Sequence, residues 1–252
     1  MQPVGNSEPL LGVLAPTRSE LNAFMGEAEA GLSVPDIAGA RRYHFGEVEA
    51  IGSVTGQGAD RCSASLDRIL EAPLIDKLLI VGVAGGTQPG QAPGDLLVAS
   101  GAGPLFADPT PAAPALVTVV ASELQATETS VRIGPLATVE RLAPAEEKRR
   151  LGESGFVGVD MESHTMLAAA RQAGIPAVCL RVVLDPLERD IPRSVAALAA
   201  AQGGRLWPDI LGLACWPMEV RASVQFMRDM GTALGALGAA AEPMVRVLCS
   251  ES

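Results

Sequence analysis

The chain has 252 residues, 48% hydrophobic but only 3% aromatic, so a large core is available and has to be built from Ala, Val, Leu and Ile. That length suits one α/β domain, and no low-complexity linker divides it. With 19 basic and 29 acidic side chains the formal charge is -10, which repels phosphate backbones and anionic headgroups and excludes nucleic acid as an expected partner.

Residues 10–15 (LLGVLA) read as a short buried strand, followed by a helix from Ser19 in which Leu21, Phe24 and Met25 keep helical spacing. The same order begins again at residue 50: an apolar run, glycines at 56 and 58, then a helical pattern through Cys62, Leu66, Ile69 and Leu70. Residues 76–86 (DKLLIVGVAGG) form a continuous apolar run of the kind found in strands covered on both faces. GDLLVAS supplies another strand, 103–114 is a proline-rich surface loop, and 115–125 (ALVTVVASELQ) suits helix or strand equally.

Further on, TSVRIGPLATV is a strand, APAEEKRRLGESG a short charged helix, and GFVGV a strand leading into a helix over 161–173 that Gly174 ends in a left-handed cap. IPAVCLRVVLD is the next strand. An Ala-rich helix over 194–202 follows, then a long helix from Pro217 with Val220, Val224, Met227, Leu234 and Leu237 on one apolar face. Alternating strands and helices predict an α/β fold with a mainly parallel sheet, in a single domain over 1–252 with a flexible tail at 1–8.

Sequence signatures of dinucleotide, P-loop and serine-hydrolase sites are absent: there is no GxGxxG, GxxxxGK[ST] or GxSxG. The four cysteines (Cys62, Cys179, Cys215, Cys249) form no CxxC pair, and His44 and His164 are too few for a zinc site, so no metal is expected and reduced thiols point to a cytoplasm. No apolar run reaches the roughly 18 to 20 residues of a membrane span, and the N-terminus lacks a secretory signal.

Two carboxylates carry the chemical signal. Asp185 ends a buried strand just before Pro186, where desolvation raises a carboxyl pKa and suits it to general-acid work; pairing with Arg181 is the structural alternative. Glu162 opens a helix, where it can accept bonds from sugar hydroxyls or simply complement the helix dipole. The glycines of TGQG and GVAGG lie at strand ends, where a backbone can approach a ligand or merely turn.

The motifs IVGVAGG, GDLLVAS, VDMES and LRVVLD, in this order and spacing, resemble the nucleoside phosphorylase and nucleosidase superfamily across nearly the whole chain. VDMESH, GIP and LRVVLDPLERDIP resemble the hopanoid-associated phosphorylases more narrowly. The resemblance implies a three-layer α/β/α domain on a mixed sheet and cleavage of a purine nucleoside at its N-glycosidic bond. It assigns the acid at purine N7 to Asp185, the ribose-binding glutamate to Glu162, the methionine under the sugar to Met161, and further substrate contacts to Arg181, Ala84 and Gly85. In nucleosidases acting on methylthioadenosine, a glutamate after the first strand activates water; in GVLAPTRSELNAF that position is Glu20.

Two positions depart from the superfamily pattern. The phosphate-binding places near GVAGG look like Ile80 and Val83, leaving Arg18 and the backbone of Gly56 and Gly58 as anion candidates should inorganic phosphate be a co-substrate. The aromatic that stacks on the base is aliphatic, near Leu142. The resulting expectation is adenine release from a 5′-substituted adenosine, with adenosylhopane the substrate implied and its apolar tail bordered by the C-terminal helix or the 186–193 loop. A methylthioadenosine/S-adenosylhomocysteine-type hydrolase and a non-catalytic nucleoside-binding module are the alternatives. No cofactor is implied, and by analogy the enzyme is a homo-oligomer.

Overall fold

Long apolar runs cannot face water on either side, and here they force two strands to the centre of one sheet. A computed structural model of the chain describes residues 10–26, 28–34, 39–70, 75–127, 129–189, 191–192 and 217–250. The elements in order are β1 (Leu11–Ala15), α1 (Arg18–Met25), β2 (Glu29–Ser33), β3 (Arg41–Phe45), β4 (Val48–Val54), α2 (Ala59–Leu70), β5 (Lys77–Gly86), β6 (Leu96–Gly103) and β7 (Thr110–Pro111). Then follow α3 (Pro114–Gln125), β8 (Val131–Thr138), α4 (Ala145–Glu153), β9 (Gly158–Asp160), α5 (Ser163–Gln172), β10 (Ala177–Asp185), α6 (Pro217–Ala239) and α7 (Ala241–Ser250). The tail over 1–8, the helix expected over 194–202, Cys215 and parts of the 186–193 loop lie outside the described residues.

β5 and β10 are the central pair. Every residue of β10 is buried, as is β5 apart from Lys77 and Val83. They run parallel from Leu78 opposite Ala177 to Gly85 opposite Asp185, with a register shift between Val183 and Asp185. Leu11, Val13, Leu79, Val81, Leu180 and Val182 serve the core that also takes Phe24 of α1, Val120 of α3, Leu237 of α6 and Met244 of α7. Leu14, Leu78, Ile80 and Cys179 serve a second core with Cys62 and Leu66 of α2 and Met166 and Leu167 of α5. Two helical layers thus sandwich the sheet.

The sheet is mixed. Parallel pairs β1–β4, β1–β5, β5–β10, β6–β8 and β8–β9 are matched by as many antiparallel ones, β2–β3, β3–β4, β5–β9, β6–β7 and β6–β10. Because β5 pairs with both β9 and β10, the strands β10, β6, β8, β9 and β5 close into a ring. β1 and β9 use the same edge of β5, and that sharing positions the candidate site.

Residues 115–125 fold as α3, since Pro114 suits a first helical turn and Leu116, Val120 and Leu124 stack on one face toward the core. β2 and β3 carry no clear apolar alternation and were not legible as strands; β3 adds antiparallel to the free edge of β4, and β2 to β3. The C-terminal helix is two helices, separated at Ala240, and its expected apolar face divides, Leu234 and Leu237 packing on the core while Val220, Val224 and Met227 turn outward. Val220, Val224 and Met227 are 46%, 48% and 68% exposed, whereas Phe226, Met230, Ala233 and Leu237 meet the core. Both stripes have helical spacing, so the neighbours α1 and β10 make the choice. By length and composition Val220–Ser250 could cross a membrane, contrary to the sequence expectation, yet Ala233, Leu237, Met244 and Val245 within it are part of the protein core.

α4 is the charged helix expected, but Lys148 and Leu151, three apart and so on one face, are buried. Gly152 lets that face sit against the turn after β5, where a methyl group would overlap the carbonyl oxygen of Thr87. Gln88 Nε2 donates to the carbonyls of Gly152 (3.0 Å) and Phe156 (2.8 Å), closing the same contact. Gly152→Ala is expected to cost about 1–3 kcal/mol through this overlap. Urea denaturation should show a lower midpoint at constant slope; an unchanged midpoint would mean that α4 seats without the contact.

Candidate active site

Backbone groups of alternate residues in a strand point to the same side. Along one edge of β5, pairing with β1 ends at Ile80 and pairing with β9 begins at Gly85, so Val81 and Val83 face a gap in the sheet. Buried polar groups there need partners, and two side chains supply them. Val83 N–H donates to Glu20 Oε1 (2.9 Å), and Arg181 Nη1 donates to the Val81 carbonyl (3.0 Å).

Glu20 reaches the gap because α1 begins there. Thr17 caps the helix, its hydroxyl accepting from Glu20 N–H (3.2 Å) while Glu20 Oε2 accepts from Thr17 N–H (2.9 Å). This reciprocal capping box fixes one carboxylate oxygen and leaves the other for β5.

Arg181 arrives from β10, where it is the register partner of Gly82. Any side chain at Gly82 would overlap the guanidinium and the Glu20 carboxylate, so the glycine is what lets Arg181 lie across β5. Its Nε donates to Ser163 Oγ (3.0 Å) and pairs with Asp160 Oδ2 (2.8 Å), and both partners in the ion pair are wholly buried. Its second terminal nitrogen is buried with no hydrogen-bond partner. Asp160 also accepts from Thr138 Oγ1 (2.9 Å) and from the N–H of Ser163 (3.2 Å). Burial opposes the charge on Arg181, but Asp160 foremost, with Glu162 and Glu20 behind it, holds its pKa above the ordinary value.

The structural alternative of an Arg181–Asp185 pair is thereby corrected. Residues four apart in a strand are separated by roughly 13 Å of backbone rise. Arg181 pairs across the sheet with Asp160, which sequence reasoning did not single out; its signal was the alternating DxE of VDMES at a strand end.

Glu162 is buried at the start of α5 and accepts from the Gly58 N–H (2.7 Å). Burial pushes its pKa up to about 7, against the pull of Arg181. Met161 beside it is partly exposed. Asp185 ends β10 opposite Gly85, and its carboxylate forms a buried ion pair with Lys148 of α4. Burial raises its pKa as well, with Lys148 opposing. Lys148 was missed in the sequence, although its spacing from Leu151 would have put it on the inward face.

The remaining expectations divide. Ala84 is buried, and Gly85 lies beside Asp185, Lys148 and Val159. Arg18 is exposed at the start of α1. Gly56 and Gly58 both need positive φ for their turn, but their N–H groups are engaged by the Pro16 carbonyl (3.1 Å) and by Glu162, which corrects their role as anion donors. Leu142 lies in the link between β8 and α4, and among the described contacts none joins it to the carboxylates. His164 Nδ1 rests near the Ala102 carbonyl (3.0 Å) and Thr110 Oγ1 (3.3 Å), a structural role. Burial pushes the Cys62 thiol up to about 11, leaving it unreactive.

Chemically, the site offers an acid and a negative surface. Asp185 pairs with Lys148 beside Gly85, and Glu20 and Glu162 lie about Arg181, which crosses Gly82.

A family model described as the phosphorylase superfamily matches residues 11–207. No curated protein matches the sequence. Among solved structures, the 5′-methylthioadenosine/S-adenosylhomocysteine nucleosidase of Helicobacter pylori is similar with a TM-score of 0.72 at 15% identity, over 95% of this chain and 99% of that one. Futalosine hydrolase of the same organism gives 0.71 at 15% identity, over 95% and 98%. Uridine phosphorylase of Vibrio fischeri gives 0.66 at 16% identity, over 97% and 92%. Identities this low carry the fold and leave the chemistry to this chain's own residues.

Glu162 also makes stability depend on pH. A carboxyl whose pKa rises from 4.5 to about 7 on folding favours the folded state fully below 4.5, and that advantage is lost as pH climbs through 7. Glu162→Gln, which cannot ionise, should therefore match the native chain at pH 4.5 and become relatively more stable above it, by up to about 3 kcal/mol past pH 7. Denaturation at pH 4.5, 6 and 8 checks this; a difference independent of pH would contradict it.

Proposed function

Given that the chain belongs to the phosphorylase superfamily, whose members cleave glycosyl bonds, we propose that it releases adenine from a 5′-substituted adenosine, with water as the nucleophile. One observation carries this reading: a buried carboxyl ends β10, and two further buried carboxylates, Glu20 and Glu162, lie about Arg181 of the same strand. As the C–N bond breaks, its electron pair leaves with the base and the sugar becomes oxocarbenium-like. The Asp185 carboxyl protonates N7, a nitrogen that purines have and pyrimidines lack, which supports a purine. Glu162 accepts bonds from the ribose hydroxyls, and Glu20 and Glu162 together offset the positive ring. Glu20 takes a proton from the water whose oxygen forms the new bond.

Water is favoured over phosphate by charge. Glu20 and Glu162 would repel a phosphate dianion, and the buried cation beside them, Arg181, spends Nε and Nη1 on Asp160, Ser163 and Val81, leaving only its second terminal nitrogen without a hydrogen-bond partner. A bulky apolar 5′ group, as in adenosylhopane, is supported by α6: Arg189, just past Asp185, ion-pairs with Asp229 there, and Val220, Val224 and Met227 of the same helix are exposed. A methylthioadenosine-type substrate is the second reading, favoured by the fold likeness to the nucleosidase that carries that name.

Free adenine should appear from 5′-deoxyadenosine and methylthioadenosine in phosphate-free buffer, unaffected by added phosphate, and Glu20→Gln should slow it roughly 10²- to 10⁴-fold. Release that requires phosphate would overturn the water reading and make Arg18 the first anion ligand to test. Binding of adenine with no turnover on any 5′-substituted adenosine would leave the non-catalytic module.

Asp185→Asn should lower turnover at least roughly 10²-fold while circular dichroism stays native. Near-normal turnover would remove Asp185 from the acid's role.

A further inference from the structure

Lys148 is the feature that the mechanism above leaves unused. It lies on a helix where Glu146, Arg149, Arg150 and Glu153 face solvent and Glu147 is half-buried, yet it is only 1% exposed. Burying an ammonium is costly unless every proton it carries finds an acceptor. Here Nζ pairs with the Asp185 carboxylate and donates to the carbonyls of Asp185 (3.0 Å), Pro186 (3.3 Å) and Arg189 (3.3 Å). All four acceptors belong to Asp185 and the turn that follows it.

This contact poses a problem for the acid. A carboxylate paired with an ammonium holds no proton of its own; the proton sits on nitrogen. We propose that Lys148 stores the proton that Asp185 delivers, so that the acting acid is the Lys148–Asp185 pair. The inference rests on the proposed glycosidic cleavage. In the reaction Nζ passes one proton to a carboxylate oxygen of Asp185, and the other face of that carboxyl gives a proton to the purine nitrogen as the C–N bond breaks. Lys148 is left a neutral amine and Asp185 a carboxylate. The amine keeps two N–H groups for the turn carbonyls, so the site holds its shape, and it regains a proton from solvent after the products leave.

Desolvation makes the transfer feasible. In water an ammonium–carboxylate pair is far more stable than the neutral amine–acid pair, but where both partners are buried the charged form loses its hydration and the gap narrows. The side chains of Lys148 and Asp185 are 2% and 9% exposed. Lys148 acts through Asp185 and does not touch substrate, so it is a positioning and proton-holding residue.

The test compares two leaving groups. Adenine needs a proton to depart; 4-nitrophenolate, leaving from 4-nitrophenyl β-ribofuranoside, does not. Three variants are assayed on both substrates: Asp185→Asn, Lys148→Met and Lys148→Arg. Arginine keeps the charge and the donors to the turn but does not release a proton, because its pKa exceeds about 12. Lys148→Arg should lose adenine release roughly 10²- to 10⁴-fold, as Asp185→Asn does, while nitrophenolate release stays within about tenfold of the native enzyme; Lys148→Met, which frees the buried Asp185 carboxyl to hold its own proton, should lose less adenine release than Lys148→Arg. Lys148→Arg turning over nucleoside at the native rate, or either variant losing both substrates equally while Asp185→Asn remains selective, would overturn the proposal and leave Lys148 as an anchor for the turn. Should Lys148→Met fail to fold, Lys148→Arg decides alone. A non-selective Asp185→Asn would overturn the acid assignment itself, and the proposal with it.

Discussion

The guanidinium of Arg181, laid across Gly82 in the middle of the sheet, is the constraint on which the other site residues depend. A wholly buried cation of this kind is tolerated only when anions and acceptors surround it. Asp160 comes from the end of β9, Ser163 from the first turn of α5, and the Val81 carbonyl from β5 itself. Glu20 approaches from α1 and Glu162 from the start of α5, so one charge gathers the ends of several separate elements. Glycine at 82 is the enabling choice, because any larger residue would occupy the space that the guanidinium crosses.

Topology supplies the opening. Had β1 and β9 paired continuously along β5, the groups of Val81 and Val83 would be spent on a neighbouring strand. Their separation leaves a short unpaired stretch that only side chains can satisfy. A related device recurs at the end of β10, where the Lys148 ammonium holds the turn after Asp185 alongside the backbone bond from the Arg189 N–H to the Pro186 carbonyl (3.0 Å). Two cation–carboxylate systems therefore lie along β5, one crossing Gly82 and one beside Gly85. They differ in use: Arg181 cannot give up its proton, whereas an ammonium can.

Much of this was legible along the chain. Strands at 77–86 and 177–185 are unbroken apolar runs, and the helices α1, α2 and α5 announce themselves by the 3.6-residue spacing of their apolar side chains. Asp185 and Glu162 stood out by place, one ending a buried strand and one opening a helix, yet each kept a structural alternative, an ion pair or a helix dipole, against which family resemblance weighed. Glu20 was reached only through family resemblance, since nothing in SEL alone marks it. Lys148 was hidden by its company, as a lysine amid EEKRR reads as solvated surface. The outward turn of Val220, Val224 and Met227 was hidden for a related reason: two apolar stripes share α6, and periodicity does not rank them.

By itself, then, the sequence determined the alternation of strands and helices, the layered fold and the positions at which chemistry could sit, because each depends on spacing within a single element. Tertiary structure decided the partners. Arg181 and Asp185 are near in sequence yet stretched apart along one strand, while Asp160 and Lys148 reach them from β9 and α4. β9 and β10 both pair with β5, so they stand about two strand spacings apart, roughly 10 Å, which the long arginine side chain bridges over Gly82. Which carboxylate is neutralised, and by which cation, is a fact about distance through space.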